Sequence, residues 1–238
     1  MRQKTIQFLE EALVSACQAA DRRSEGEVLG ELANTYASLG KVLEAIEYYE
    51  QALAIAREIG DRRAEGAGLG NLGNAYASLG DIRRAIEYYE QALTIAREIG
   101  DRQAEGNHLN NLGLAYSDLG DVRRAIEYYE QALAIAREIG DRRGDASRLA
   151  NLASAYASLG DIRRAIEYYE QALAIAREIG DLYTESGVLG NLGNLLATTG
   201  ERQKALEYYD LALLVASKIG SPYTKHLAQL RSTLLDNK

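Results

Sequence analysis

The sequence has 238 residues, a formal net charge of −8, one proline, one cysteine and no tryptophan. The acidic balance argues against a nucleic-acid-binding protein, because phosphate recognition needs clustered Lys and Arg side chains. No apolar run is long enough for a membrane span, and the polar residues of Met1–Glu10 do not resemble a secretory signal peptide. A single cysteine cannot form a disulfide within one chain, so we expect a protein of a reducing compartment, most simply cytoplasmic. Cys17 is expected to pack as a small apolar residue on a helix.

The chain is built from a repeat of forty residues. Copies of the segment IEYYEQALAIAREIGD, the last one looser than the others, begin at Ile46, Ile86, Ile126, Ile166 and Leu206. Residues 1–20 match the second half of a unit, and residues 221–238 match the first half of one. A repeat array of this kind predicts a single solenoid over residues 1–238. Its full units are 21–60, 61–100, 101–140, 141–180 and 181–220.

Each unit contains two predicted helices, which we call helix A and helix B. In unit 61–100, helix A is expected over Arg62–Ser78 and helix B over Ile82–Glu98. A Gly-Asp pair follows each helix, because Gly suits the left-handed position after a helix and Asp caps the next one. At the last junction Ser221 takes the capping position, and Pro222 is predicted as the first residue of the final helix.

The two helices differ in their apolar patterns. Helix B carries apolar residues at spacings of three and four, which predicts one broad buried face and one solvated charged face. Helix A contains Gly66, Gly68, Gly70 and Gly73. Glycine in a helix interior costs roughly 1 kcal/mol relative to Ala. We therefore infer that helix A packs tightly against its neighbours.

These residues resemble a known repeat. The pattern Leu69-x-x-Leu72-Gly73-x-x-Tyr76, followed by Gly80, Ala85, Tyr89 and Ala92, is similar to the tetratricopeptide repeat (TPR). The longer unit resembles the repeats of the LGN/Pins adaptors and of kinesin light chains. The resemblance implies an all-α fold, a right-handed α-solenoid of stacked antiparallel helix hairpins (the TPR superhelix). It also implies that helix A lines a concave groove that binds an extended peptide or partner protein.

The candidate groove residues lie on helix A, opposite Leu69, Leu72 and Tyr76. They are mostly asparagines, whose amides both donate and accept, so that a ladder of them can bind a peptide backbone. The alternative is that these asparagines bond neighbouring helices or water. The third unit has the richest polar cluster, which includes His108 and Leu114, and we interpret it as a possible contact point. The candidate residues are Asn34, Asn71, Asn74, Asn107, Asn110, Asn111, Asp118, Asn151, Asn191 and Asn194.

No residue constellation predicts an enzyme, a metal site or a cofactor site. The letters of Gly68-x-Gly70-x-x-Gly73 match a dinucleotide-binding fingerprint, but they fall inside a helix without a preceding strand. We therefore expect a protein or peptide partner, with no nucleic acid and no membrane. Two alternatives stay open: a structural or sensor array of a larger signalling protein, and a consensus-like scaffold without an evolved ligand. The half-unit at residues 1–20 also raises the hypothesis of end-to-end self-association.

Overall fold

The computed structural model describes the backbone of residues 2–236 and the side chains of residues 4–236. This part of the chain forms twelve α-helices and no strand, which confirms the all-α prediction. The helices are α1 (Arg2–Gln18), α2 (Arg22–Ser38), α3 (Val42–Glu58), α4 (Arg62–Ser78), α5 (Ile82–Glu98), α6 (Arg102–Asp118), α7 (Val122–Glu138), α8 (Arg142–Ser158), α9 (Ile162–Ile179), α10 (Leu182–Thr198), α11 (Arg202–Lys218) and α12 (Thr224–Asp236).

The helices cluster into two compact units, which we call unit 1 (Met1–Leu119) and unit 2 (Gly120–Lys238). Within unit 1, the A helices are α2, α4 and α6, and the main hairpins pair α2 with α3 and α4 with α5. Within unit 2, the A helices are α8 and α10, which form hairpins with α9 and α11, and α12 packs on α11. The single solenoid over residues 1–238 stays a prediction.

The predicted roles of the Gly-Asp pair between α4 and α5 are confirmed. Gly80 has a φ of 81°, a left-handed conformation that strains any residue with a Cβ. The carboxylate of Asp81 then accepts the backbone N–H of Arg84 at 3.2 Å, which satisfies one free donor at the start of α5. Because this signal is local, the predicted bounds Arg62–Ser78 and Ile82–Glu98 match α4 and α5 residue for residue.

Tight packing of helix A is also confirmed, and among the four glycines of α4 the tightest contact is at Gly73. A Cβ on Gly73 would lie 2.5 Å from the ring of Tyr89, and one on Gly70 would lie 2.6 Å from His108. The largest fully buried side chains beneath are mostly leucines of the A helices, such as Leu72. Glycine thus lets the B-helix tyrosine reach the backbone of helix A. Only Gly68, of the four glycines predicted to pack closely, makes ordinary van der Waals contacts.

A recurring ionic clamp joins four of the B helices to the A helix that follows. Glu65 of α4 accepts hydrogen bonds from Arg57 of α3, at 2.9 Å, and from Arg62 of its own helix, at 2.5 Å. Burial alone would raise the pKa of Glu65, but the two arginines outweigh it and lower the pKa. Glu105 is clamped in the same way by Arg97 and Arg102. The carboxylates lie almost buried while the arginines stay half-exposed, so the pairs gain strength from reduced solvation.

Two predictions about individual residues are wrong. Helix α12 begins at Thr224, not at Pro222, because residues 222 and 223 form a turn in which Ser221 Oγ accepts the backbone N–H of Tyr223. Cys17 is exposed and not packed. Its place in the forty-residue pattern is that of Arg57, which is also exposed, so this position faces solvent in the repeat.

Candidate functional site

A hydrogen bond between a buried tyrosine and an asparagine recurs on the A helices. Tyr89 of α5 donates its hydroxyl to Asn74 Oδ1 at 2.7 Å. The same pair forms between Tyr49 and Asn34 at 2.6 Å in unit 1. In unit 2 it forms between Tyr209 and Asn194 at 2.7 Å. Each tyrosine is buried, while the asparagines at the other end are exposed or half-exposed.

These pairs fix the orientation of the amides. Burial raises the pKa of Tyr89 to about 12, so its phenol keeps its proton and needs an acceptor. The carbonyl oxygen of Asn74 is that acceptor, and the NH₂ group of the same amide therefore faces away from the core. Asn74 Oδ1 also accepts from Asn111 Nδ2 at 3.3 Å. The exposed side of this amide thus offers donors only.

The asparagines at positions equivalent to Asn71 show features of both sequence-based interpretations, bonding to a neighbouring helix and exposure at the surface. Asn111 bonds across to Asn74 on the neighbouring A helix, and Asn191 lines a cavity together with Tyr169. These residues and Asn151 are nevertheless half-exposed on the same helix face. Asn111 therefore links two A helices, and Asn111, Asn151 and Asn191 all keep part of the amide at the surface.

The polar cluster of the third repeat is only partly available to a ligand. Asn107 and Asp118 are exposed, and Asn110 is half-exposed. His108 is buried, contrary to its interpretation as a contact residue, because its ring fills the space above Gly70. Its Nδ1 is enclosed without a hydrogen-bond partner. Leu114 is 44% exposed, since it stands where Asn74 bonds a tyrosine in the preceding repeat.

Two cavities lie between neighbouring A helices. In unit 1, a cavity of about 190 Å³ separates α2 from α4 and has Gly30, Gly68 and Asn71 in its lining. In unit 2, a cavity of about 310 Å³ separates α8 from α10 and includes Asn191 and Asn194. Predicted groove residues thus line open space in both units.

A third cavity, on the B helices of unit 1, was not predicted from the sequence. It measures about 470 Å³, lies between α3 and α5, and has Tyr76 and Tyr88 in its lining. Their rings are stacked with centroids 5.3 Å apart, and the guanidinium of Arg84 lies 5.3 Å from the Tyr76 centroid. The signal that could have found it is the recurring spacing of Tyr76, Arg84 and Tyr88. Tyr76 is buried, but Tyr88 remains half-exposed.

The described residues offer little for other kinds of chemistry. Among them, no group of three or more His, Cys, Asp or Glu side chains is placed to hold a metal ion. In the same part of the chain, no helix combines the length and apolar character required to cross a bilayer.

Solved structures of similar fold include two with moderate sequence identity. BtubC (BKLC) from P. vanneervenii is 27% identical with a TM-score of 0.80, and the alignment covers 92% of each chain. The nearly identical TPR-like repeats of a Podosopora anserina protein described as a kinesin light chain are 26% identical, with a TM-score of 0.68. That alignment covers 82% of this chain and 95% of the other. The resemblance to kinesin light chain repeats is thereby confirmed.

A third structure shares the fold at lower identity. It is a signal transduction ATPase with numerous domains and a tetratricopeptide repeat sensor, from Pyrococcus horikoshii, 23% identical with a TM-score of 0.82. The alignment covers 98% of this chain but 36% of that one. No curated protein matches the sequence.

Family models match most of the sequence. One model described as tetratricopeptide repeat matches residues 24–98 and 104–178, and a second with the same description matches residues 150–222. These matches span the repeated Leu-Gly-x-x-Tyr segments and the hairpins observed in both units. The chain therefore belongs to the tetratricopeptide repeat family.

Proposed function

We propose that this chain is a protein-interaction module that binds an extended peptide segment across its A helices. Tetratricopeptide repeats generally mediate protein–protein interactions and are typically not enzymes. The observation that carries the proposal is the tyrosine-set amide, most completely formed at Asn74. The outward NH₂ groups of Asn34 and Asn74, on neighbouring A helices, suit the carbonyl oxygens of an extended chain, because those oxygens have no partner within the chain as they would in a helix.

The candidate groove residues have complementary parts in this proposal. Asn34, Asn74 and Asn194, each bonded to a tyrosine, provide donors of fixed orientation. Asn71, Asn111, Asn151 and Asn191 flank them on the same helix faces. Asn107, Asn110 and Asp118 supply the side chains that differ most between repeats and therefore bear on selectivity.

The test uses a phage-displayed library of random 12-residue peptides selected on the purified chain. Replacing Asn34, Asn74 and Asn194 together by Asp keeps the oxygen that accepts from each tyrosine but removes the outward donors. We expect selected peptides to bind this variant at least tenfold more weakly in fluorescence anisotropy. The matched control is Glu90→Gln, an isosteric change at an exposed position of helix B, which should leave affinity within twofold.

Two results would contradict the proposal. One is a library selection that yields no peptide binding the chain. The other is a set of binders that tolerate the triple Asn→Asp variant and are lost on substitution of the B helices.

A further inference from the structure

Three A helices carry a glycine at the position of Gly30, and the space above that glycine has different contents in each of them. The slot above Gly70 is filled by His108 of the next A helix, whose Cε1 would lie 2.6 Å from a Cβ on Gly70. The slot above Gly190 is filled by Leu227. Above Gly30, a Cβ would meet nothing within 4 Å, because the residue in register with His108 is Gly68. One missing side chain thus leaves this slot open.

The open slot is the cavity between α2 and α4. Its walls are mainly small or aliphatic, including Ala52, Ile55 and Ala67, and its volume is about 190 Å³. An apolar cavity of about 150 Å³ in a protein accommodates a benzene molecule, so this one has room for a single aliphatic side chain. Burying that side chain would recover the contacts that His108 provides one repeat further along.

Charges at the mouth of the cavity favour a cationic neighbour. Arg23 and Asp61 neutralise each other across α2 and α4 at 3.1 Å. Glu27, which lines the mouth, and Glu31, one turn further along α2, are exposed and form no ion pair within the described residues. The rim therefore carries the uncompensated negative charge of Glu27, with that of Glu31 one turn away, and these charges attract Lys or Arg next to the inserted residue.

We propose that the α2/α4 cavity is a specificity pocket for an aliphatic side chain that lies next to a Lys or Arg in the bound segment. The pocket rests on the proposed peptide-binding function and names the residue type that the peptide must supply. Asn71, which lines the same cavity, donates to the backbone beside the inserted side chain. The neighbouring α4/α6 slot takes no such residue, because His108 already occupies it.

The experiment compares variants that fill the pocket from either side. Gly68→His copies the residue that stands at position 108, and Gly30→Leu fills the slot from α2 with a good helix former. Peptides selected on the unmodified chain from the random 12-residue phage library are measured against both variants by fluorescence anisotropy. We expect an enriched aliphatic residue adjacent to Lys or Arg, and at least a tenfold loss of affinity with each filled pocket. Thr94→His, at an exposed position of α5, controls for the added imidazole and should change affinity less than twofold.

A second comparison tests the rim. Replacing Glu27 and Glu31 by Gln should weaken the same peptides about three- to tenfold at low ionic strength and less at high salt. Peptides that bind the chain but lack the aliphatic–basic pair, or that bind both filled-pocket variants with unchanged affinity, overturn the pocket and leave the proposed function standing. A selection without any binder overturns both. Far-UV circular dichroism and thermal melts establish that each variant is folded before its affinity is compared.

Discussion

Unit 1 contains two slots between neighbouring A helices that share one backbone design and differ in their content. The α4/α6 slot holds the buried ring of His108, and the α2/α4 slot is an open cavity because Gly68 stands in register with His108. The same ionic clamp anchors the later A helix of each slot, through Glu65 on α4 and Glu105 on α6. The comparison shows that deleting one side chain converts a filled slot between two A helices into an open cavity.

The largest expected effect is the difference between two glycine-to-alanine substitutions. Gly70→Ala places a methyl group 2.6 Å from His108, and overpacking of this kind costs about 1–3 kcal/mol. Gly30→Ala meets open space, so it should gain stability by up to about 1 kcal/mol from better helix propensity. Urea unfolding should therefore rank Gly30→Ala above the unmodified chain and Gly70→Ala below it. Equal destabilisation by both substitutions would mean that the two slots do not differ as described.

A smaller effect is expected at the ionic clamps, and it should be the same in both slots. Glu65→Gln and Glu105→Gln each weaken two hydrogen bonds from half-exposed arginines, at an expected cost of about 1 kcal/mol in the free energy of unfolding. Unequal costs would show that the two slots differ because of their clamps and not because of the residue at position 68 or 108. Glu90→Gln, on the exposed face of α5, is the control and should be silent.

The sequence predicted local features well and contacts between repeats poorly. The bounds of α4 and α5 follow from Gly80 and Asp81, whose effects act within one turn of chain. Burial of His108 depends on the absence of a side chain at Gly70, thirty-eight positions earlier and on another helix, so a pattern within one repeat could not reveal it. Predicting the cavity over Gly30 likewise requires knowing which residue of the next repeat lies opposite that glycine.

The candidate asparagines were placed on the correct helices, but their partners were not predicted. Exposure of Asn74 follows from its position opposite Leu72 on α4, as expected from helical geometry. The orientation of its amide is set by Tyr89, fifteen residues away on the next helix. The tyrosine ring approaches the backbone of α4 closely at Gly73, but the equivalent pair of Tyr49 and Asn34 forms beside Ala33. A comparison of aligned positions on the two helices of a hairpin could have predicted the contact between Tyr89 and Asn74.

A pH dependence should distinguish the filled slot from the open one. Burial lowers the pKa of His108 below its usual value of 6.5, while Asp101 partly opposes this effect. In the window below pH 6.5 the unfolded chain therefore binds the proton more readily, and stability falls as the pH is lowered. His108→Leu keeps the slot filled without a titrating group, so its stability should change less between pH 7.0 and pH 5.5. His226→Gln, at an exposed position of α12, is the matched histidine control. Identical slopes for His108→Leu and the unmodified chain would contradict the proposed burial of a neutral imidazole.

The smallest expected effect concerns the tyrosine–asparagine pairs, and it should again be equal in the two hairpins. Removing the hydroxyl of Tyr89 or Tyr49 by substitution with Phe loses one hydrogen bond to an exposed amide, worth about 1 kcal/mol or less. Double-mutant cycles with Asn74→Ala and Asn34→Ala should give matching coupling energies of about 0.5–1 kcal/mol. A coupling near zero in both cycles would mean that the hydroxyl does not hold the amide, and the outward orientation of its NH₂ group would lose its cause. Matching couplings would instead show that both hairpins present the same donor, so that any difference in ligand contact between the two slots comes from the side chain that Gly68 lacks and His108 provides.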